Sequence, residues 1–567
     1  MKGKIFLLLL FVLALGSWFA ATSLASAAEP KYAVYINWDG FRYDYFTLAN
    51  QPPYSGTPNI NALLREGVLY SQTGSGIPSI TNPMQTSIVD GAWPVVHGNR
   101  YRYYDPVDNL VKGTWRENNA QTIAEVFKEA GMPVASVQQF MLLGRGAYWE
   151  NPRYLYIQPG GDWKLRVEEA VKILRGEEVN SGRTSVIMPE KPRLLAIYAD
   201  DLDAIGHNDA TIWGVPPAST EAERMDRLVR WLIYMDDTLG KLVQALKDIG
   251  IYDETVIFLT GDHGMTPYEG YSSLPDLLQT LNGLGCKTEF LYEGDRAAAD
   301  TRIVAVGVGL QVQLSFRWPI TAEEYNRIVE AVKAKPYYGG HRTREELAER
   351  GADPLTGQLL IWPKPPYNFK STFNKNYIAR GQHDSQDPSS QHVFFALAGA
   401  GVRKGLTFDL QNQIITLAPT LSRLLKLPAP AQATGRVLLE ALEDDAVKAT
   451  GGGWIEPVAG AGADFGFNVH YQGATFAGKG ELQYQDDQAG LKFHGQEIAA
   501  VRIEGNTTVV EGAGRLNGAD GYRFVLRLRD MGEPGAGADK FGITITGPDV
   551  NYKIGETAIA GGNIQIQ

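Results

Sequence analysis

The chain has 567 residues, room for several average domains or for one large catalytic domain with an appendage. With 44% hydrophobic and 21% charged residues it is globular in composition, which excludes disordered and fibrous classes. A net charge of −11 gives no sign of a protein that tracks nucleic-acid backbones, and its even spread excludes an acidic tail. The single cysteine, Cys286, rules out an internal disulfide or a thiolate metal cluster, so any bound metal must use His and carboxylates.

In chain order, Met1-Lys2-Gly3-Lys4 opens a basic start, followed by an apolar run from Ile5 to Leu15 and small residues ending at Ala27-Ala28. This is the pattern of a secretory leader, residues 1–28, cleaved after Ala27 or Ala28. It is too short and too interrupted by Gly16, Ser17, Thr22, Ser23 and Ser26 for a membrane span, and no second span follows. The protein is therefore expected outside the cell or on its envelope.

From residue 29 to 445 the sequence predicts an α/β catalytic domain. Tyr32–Trp38, Leu194–Ala199, Thr255–Thr260 and Val393–Ala398 are short apolar runs of the kind that form buried parallel strands. Between them, Thr57–Glu66 predicts a helix with Thr57 as cap and Pro58 at its first position. A long amphipathic helix is expected over about Ala222–Ile249, and a shorter one over Met84–Asp90, capped by Thr81 and stopped by Gly91. Strands alternating with helices predict a mostly parallel sheet covered on both faces. Residues 266–380 are too many for a connection and carry their own helix (Thr321–Ala334) and strands (Arg302–Val308, Gln311–Phe316), so they are expected to form an inserted cap or subdomain. Its aromatic residues Tyr268, Tyr271, Trp318, Tyr337, Tyr338 and Trp362 are expected mainly to fill its own core.

After Leu439 the texture changes. Of the 62 glycines, 24 fall in the last 117 residues, among alternating runs such as Glu481–Gln485 and Arg523–Arg529. This predicts a linker at 446–463 and an all-β sandwich at 464–567. Such a module is expected to serve stability or contact with a cell wall or other surface, and to be dispensable for turnover.

Chemistry-bearing residues stand beside the predicted strands. Asp39-Gly40 follows the first; Asp203 and His207 lie in the segment after the second; Asp262-His263 follows the third; His383-Asp384 precedes the fourth. An Asp-Gly after a strand is by itself most often a turn, and a lone loop His most often a surface residue. Four such groups at strand ends in one chain are a different matter, because ligands of open α/β sheets collect outside the carboxyl ends of the strands. Three Asp and three His suffice for two divalent cations, with imidazole favouring Zn and carboxylate tolerating Mn or Fe. Thr81 sits where a helix begins, beside free backbone N–H groups and the positive end of the helix dipole, a setting that stabilises a phosphoryl group. Ser79 is a rival hydroxyl.

These residues carry a resemblance. Asp39-Gly40-x-Arg42-x-Asp44-Tyr45, Thr81-x-Pro83, His97-Gly98, Asp203-x-x-Gly206-His207, Asp262-His263-Gly264-Met265 and Gly381-x-His383 occur in the order found in the type I phosphodiesterase/nucleotide pyrophosphatase family of the alkaline phosphatase superfamily. The likeness runs from about Tyr32 to Leu439. It implies an alkaline-phosphatase-like core and two metals, usually zinc: one on Asp39, Thr81, Asp262 and His263, the other on Asp203, His207 and His383. It implies Thr81 as nucleophile and an Asn beyond His-Gly that steadies a phosphate oxygen; Asn99 is the candidate, with Arg102 as the alternative contact. Three positions depart from the family: Asn82 where an aromatic is usual, Asn99 directly after Gly98, and Asp384 where Gly is common. No Cys/Ser-x-Pro-x-Arg motif occurs, which argues against sulfate esters.

The expected function is a secreted, metal-dependent hydrolase of a small phosphate ester, a phosphodiester or nucleotide pyrophosphate bond, through a phosphothreonine intermediate. A phosphomonoesterase that scavenges phosphate is the alternative within the class, and a non-catalytic surface-binding protein the alternative outside it.

Overall fold

The computed structural model describes residues 29–370, 376–458, 460–472 and 478–567. The leader expected at 1–28 lies outside the described residues. The central sheet is built from β1 (Tyr32–Trp38), β2 (Gly67–Gly74), β3 (Val134–Val137), β4 (Tyr154–Ile157), β5 (Leu194–Ala199), β6 (Thr255–Thr260), β7 (in two pieces, His392–Val393 and Phe395–Gly399) and β8 (Leu406–Gln413). Their spatial order is β8-β2-β7-β6-β1-β5-β3-β4. β1 is central and pairs in parallel with β6 (Tyr35 opposite Phe258) and with β5 (Tyr35 opposite Ala196). The expected mostly parallel sheet is present, with one difference. β7, over the run Val393–Ala398, lies antiparallel between β6 and β2. An apolar run shows burial on both faces but not direction, since both kinds of buried strand show the same lack of alternation.

Alternate residues of the strands feed two apolar layers. Ala33 and Tyr35 face one, with Met84, Ile88 and Phe127. Val34, Ile36 and Trp38 face the other, with Leu63, Leu228, Leu232 and Leu239. The helices that supply these layers follow the sequence closely. α1 (Pro58–Arg65) starts after Thr57, and α2 (Thr81–Asp90) ends on Gly91 in the left-handed conformation. α3 (Asp201–His207) follows β5 at once. α4 (Glu221–Asp248) is capped by the Thr220 hydroxyl, which accepts from the Glu223 N–H, and it buries Leu228, Leu232, Leu239, Leu242 and Leu246 at helical spacing.

The insert is closed at its base by the strand Thr266–Gly270, which pairs antiparallel with Asn376–Gln382. Within it, five strands run in the order Thr288–Phe290, Ile303–Val308, Gln311–Phe316, Leu359–Pro363, Tyr338–Thr343. Helices Leu274–Gly283 and Ala322–Lys333 cover one face, where Tyr337 is also buried. The other face presents Val304, Val306 and Val308 to Ile80 and Tyr104, and so docks on the segment that leads into α2. Tyr271 and Trp318 face solvent instead of filling the core.

At the C-terminus the expected all-β module is one antiparallel sheet of nine strands rather than a two-sheet sandwich: eight strands from Val447–Val458 to Asn551–Ala558 follow one another as a meander, and the last, Gly561–Ile566, returns to pair with Val447–Val458. It curls over Phe465, Phe467, Tyr484 and Phe541, whose rings stack. The linker expected at 446–463 is a correction: Val447–Val458 and Ala461–Tyr471 are paired strands of this meander. Glycine there serves close approach rather than flexibility, since a Cβ on Gly453 would stand 2.1 Å from the Gly561 carbonyl oxygen. The module shares one apolar cluster with the α/β domain.

Candidate functional site

The carboxyl ends of β1, β5 and β6 lie side by side, so the residues that follow them share one edge of the sheet. Asp39 follows β1, Asp203 lies in α3 after β5, and Asp262-His263 follow β6. His383 precedes its strand, and the reversed direction of β7 is what brings the segment before it to the same edge. Gly40, at φ +76°, lets the β1 turn pass close to α3: a Cβ there would stand 3.1 Å from the Asp203 N and Cα atoms. A Cβ on Gly381 would stand 2.2 Å from the Gly206 carbonyl oxygen, so glycine holds the His383 segment against the His207 helix.

Two groups of ligating atoms result: Asp39, Asp262 and His263, and Asp203, His263 and His383. His263 Nε2 lies 3.1 Å from Asp39 Oδ1, 3.6 Å from Asp262 Oδ2 and 3.1 Å from Thr81 Oγ1. Asp203 Oδ2 lies 3.3 Å from His207 Nε2, and Asp203 Oδ1 3.7 Å from His383 Nε2. The His207 and His383 rings meet edge to face, and the His263 and His383 rings are 4.2 Å apart. All seven residues expected in the two ligand sets are thus neighbours.

The donor set fits divalent cations on three observations. Asp39 Oδ1, Asp203 Oδ1 and Asp262 Oδ2 are buried without a hydrogen-bond donor, a costly state for carboxylate oxygens. His263 Nδ1 and His207 Nδ1 each lie 3.0 Å from a backbone carbonyl, of Gly264 and Gly381. Only a ring N–H can bond there, so in the neutral rings the Nε2 lone pairs face the carboxylates and need a cation between them. Ligand atoms at ~2.1 Å around a tetrahedral metal are ~3.4 Å apart, and the spacings here run from 3.1 to 3.7 Å.

The electrostatics agree. Burial, then the Asp262 and Asp203 carboxylates, push Asp39 well above the usual carboxylate range. Burial, opposed by the Gln85 amide and aided by Asp203, takes Asp262 up to about 7. Burial would lower His207, but the Asp203 charge carries it up to about 9, while burial and His263 hold His383 well below its ordinary value. So much like charge in one dry space is the signature of groups arranged around something positive.

Thr81 is the first residue of α2 rather than its cap. The cap position is Ile80, which has no side-chain acceptor, so the N–H groups and dipole end of the helix stay open toward the cluster. Ser79 is set aside: it is fully buried, its hydroxyl donates to the Ser385 carbonyl, and its N–H donates to Asp384 Oδ1. Asn99 is engaged within the fold: its amide donates to Thr86 Oγ1 and the Trp115 carbonyl, and Thr114 Oγ1 donates to its oxygen. Asp384 braces the Ser79 loop against the insert, accepting also from Gln311 Nε2. Sequence reasoning missed Tyr198, whose hydroxyl donates to Asp39 Oδ2 at 2.5 Å and orients that carboxylate. One aromatic among the six residues of a buried strand gave no signal.

A carboxylate–imidazole cluster beside a threonine that opens a helix, at the carboxyl edge of a mostly parallel sheet, defines the class of site. The chain belongs to the type I phosphodiesterase/nucleotide pyrophosphatase family, which it matches over residues 33–386. It is similar to bis(5'-adenosyl)-triphosphatase ENPP4 of Bos taurus, 23% identical over 269 residues, 46% of this chain and 53% of that protein. It is also similar to ectonucleotide pyrophosphatase/phosphodiesterase family member 7 of Homo sapiens, 23% identical over 47% of this chain and 55% of that protein. The match thus spans about half the length of these relatives. Among solved structures, murine ENPP5 aligns with a TM-score of 0.48 at 17% identity, covering 70% of this chain and 96% of that one. Alkaline phosphatase PafA aligns at 0.47 and 14%, covering 74% and 100%.

Proposed function

We propose that this protein hydrolyses phosphodiester or nucleotide pyrophosphate bonds of small molecules, with Thr81 as the nucleophile. The observation that carries this reading is Thr81 Oγ1 at an open helix N-terminus, 3.1 Å from His263 Nε2 and beside three buried carboxylates whose inner oxygens have no donor. Asp39, Asp262 and His263, with Thr81, would hold one divalent cation and Asp203, His207 and His383 a second, zinc fitting best; such ions lower the pKa of a bound hydroxyl and neutralise charge on phosphorus. The Thr81 hydroxyl gives its proton to solvent water as its oxygen attacks phosphorus in line. The O–P bond to Thr81 forms, the bond to the leaving oxygen breaks, and that oxygen departs with the alcohol or phosphate product, which takes up a proton from water as its pKa requires. Water then attacks the phosphothreonine, and Thr81 leaves and regains a proton. The Thr81 and Asn82 backbone N–H groups face the equatorial oxygens, where negative charge spreads; Pro83 has no N–H to add. Secretion through the leader belongs to the same reading, and among the described residues no helix is long and apolar enough to cross a membrane.

The test is Thr81→Ala. Turnover of bis(p-nitrophenyl) phosphate should fall by about three orders of magnitude or more, with bound metal retained by elemental analysis. Two displacements give net retention at a chiral phosphorothioate diester. An active Thr81→Ala, or inversion, would mean direct attack by water and would overturn the covalent route.

A further inference from the structure

We propose that Arg102 binds the non-bridging oxygens of the transferred phosphoryl group and thereby gives this site a phosphomonoesterase activity on dianionic esters. This rests on the hydrolase reading above and names a substrate class for it.

The side-chain amide of Asn99 donates to Thr86 and Trp115, and the helix end offers the Thr81 and Asn82 N–H groups but no charged donor. A phosphate monoester dianion carries one more charge than a diester and has no second ester group in its place, so it needs a further donor. Arg102 begins the strand Arg102–Asp105 and is held by one arm, Nη1 donating to the Gly307 carbonyl at 3.1 Å. Its Nε is buried and unpartnered, and among the described residues no carboxylate forms an ion pair with it. The guanidinium also lies over the Tyr101 ring, 5.4 Å from its centroid.

Its anchor leads straight to the ligand cluster. Gly307 is two residues from Gly309, where the hairpin between Ile303–Val308 and Gln311–Phe316 presses on His383. A Cβ on Gly309 would stand 2.2 Å from the His383 carbonyl oxygen, and the Leu310 N–H donates to the Asp384 carbonyl at 3.1 Å. The insert therefore ties the Arg102 head to the hairpin that packs on the His383–Asp384 segment. Lys370 reinforces the positive character there: burial pushes its pKa down, and the charges of Arg102 and Arg380 do so further, against the single opposing Asp209. A half-buried guanidinium without a carboxylate, next to a second crowded cation, is arranged for an anion that comes from solution.

The experiment compares p-nitrophenyl phosphate with bis(p-nitrophenyl) phosphate in the full chain, as wild type, Arg102→Gln and Arg102→Lys, with metal content and thermal melting recorded for each. The wild type should hydrolyse both esters. Arg102→Gln should lose roughly 100-fold in kcat/KM on the monoester and less than ~5-fold on the diester, and Arg102→Lys should recover part of the difference. Calorimetric titration with inorganic phosphate, which needs no turnover, should show at least ~10-fold weaker binding to Arg102→Gln. Equal losses on both esters, or unchanged phosphate affinity, would overturn the role of Arg102. A wild type that binds phosphate through Arg102 but hydrolyses neither ester would refute the hydrolase reading and leave the anion site standing. Should Arg102→Gln fail to fold, Arg102→Lys carries the same comparison, because it keeps the charge and loses the fork.

Discussion

At the scale of the residue, the site is a set of groups that are costly to one another until a cation stands among them. Without metal, only protons can serve that purpose, and this makes stability depend on pH in a defined sense. His207 is raised to about 9 by Asp203, so the native state holds its proton more tightly than the unfolded chain does. The native state then binds more protons between about 6.5 and 9, and stability falls as pH rises through that window. Asp262, raised to about 7, acts in the same direction at the lower end of the window. His383, His97 and Asp203 are shifted below 6.5 and add nothing there. Protein stripped with a chelator should therefore melt a few degrees lower at pH 9 than at pH 6.5, on the order of the shift that a few kcal/mol produces in a large domain. Protein with two equivalents of zinc should lose much less over the same interval, because the metal replaces the proton on His207 Nε2. Differential scanning calorimetry of the two forms checks this. Equal pH slopes would mean that the cluster does not hold the cation.

At the scale of the element, sheet direction and glycine decide whether ligands from distant parts of the sequence meet. The strands β1, β5 and β6 and the ligands that follow them were legible because apolar runs ending in Asp are plain in the sequence. The reversal of β7 was not, since it depends on pairing with β6 and β2 rather than on composition. The surroundings of Asn99 were hidden for a related reason: its position after His-Gly is visible, but the partners of its amide, Thr86 and Trp115, arrive from elsewhere in the fold. Gly381 offers a direct test of the element-scale argument. Its missing side chain lets the strand Asn376–Gln382 lie against α3, with the Gly206 carbonyl oxygen 2.2 Å from where a Cβ would be. Gly381→Ala must part these two segments, and with them His383 from Asp203 and His207, which both lie in α3. The expected outcome is the loss of one metal equivalent and at least ~10-fold in turnover, with little change in the melting of the sheet core. Zinc titration read by competition with a chromophoric chelator measures the first. Retention of two tight sites would show that this close approach is not what assembles the second ligand set.

At the scale of the whole molecule, the question is whether the C-terminal meander is a separate body or part of the catalytic domain. Its glycine-rich start suggested a free linker, yet those residues are paired strand, and the backbone contacts across the junction are continuous. The Val437 N–H donates to the Ile503 carbonyl at 2.7 Å, the Gly505 N–H to the Gly435 carbonyl at 2.8 Å, and Asn506 bonds both the N–H and the carbonyl of Ala429. Behind them, Leu424, Val437 and Leu438 lie in the same apolar cluster as Ile503, Val510 and Leu526. Among the described residues, none of the module belongs to the ligand groups, which end at His383. A chain ending at Asp445 should therefore keep its chemistry and lose stability. Its kcat on bis(p-nitrophenyl) phosphate should stay within about 3-fold of the full chain at 20 °C, because the ordering of Asp39, Thr81, Asp262 and His383 depends on the central sheet and the insert. Its melting temperature should fall by about 5 °C or more, since the apolar faces of Val437 and Leu438 would meet water at a cost of ~25 cal/mol per Å² exposed. A truncated chain that melts like the full protein would make the module an independent appendage. One that folds yet loses turnover on a soluble substrate would mean that the meander acts on the site through the Gly435–Leu438 segment, and would assign it a part in catalysis.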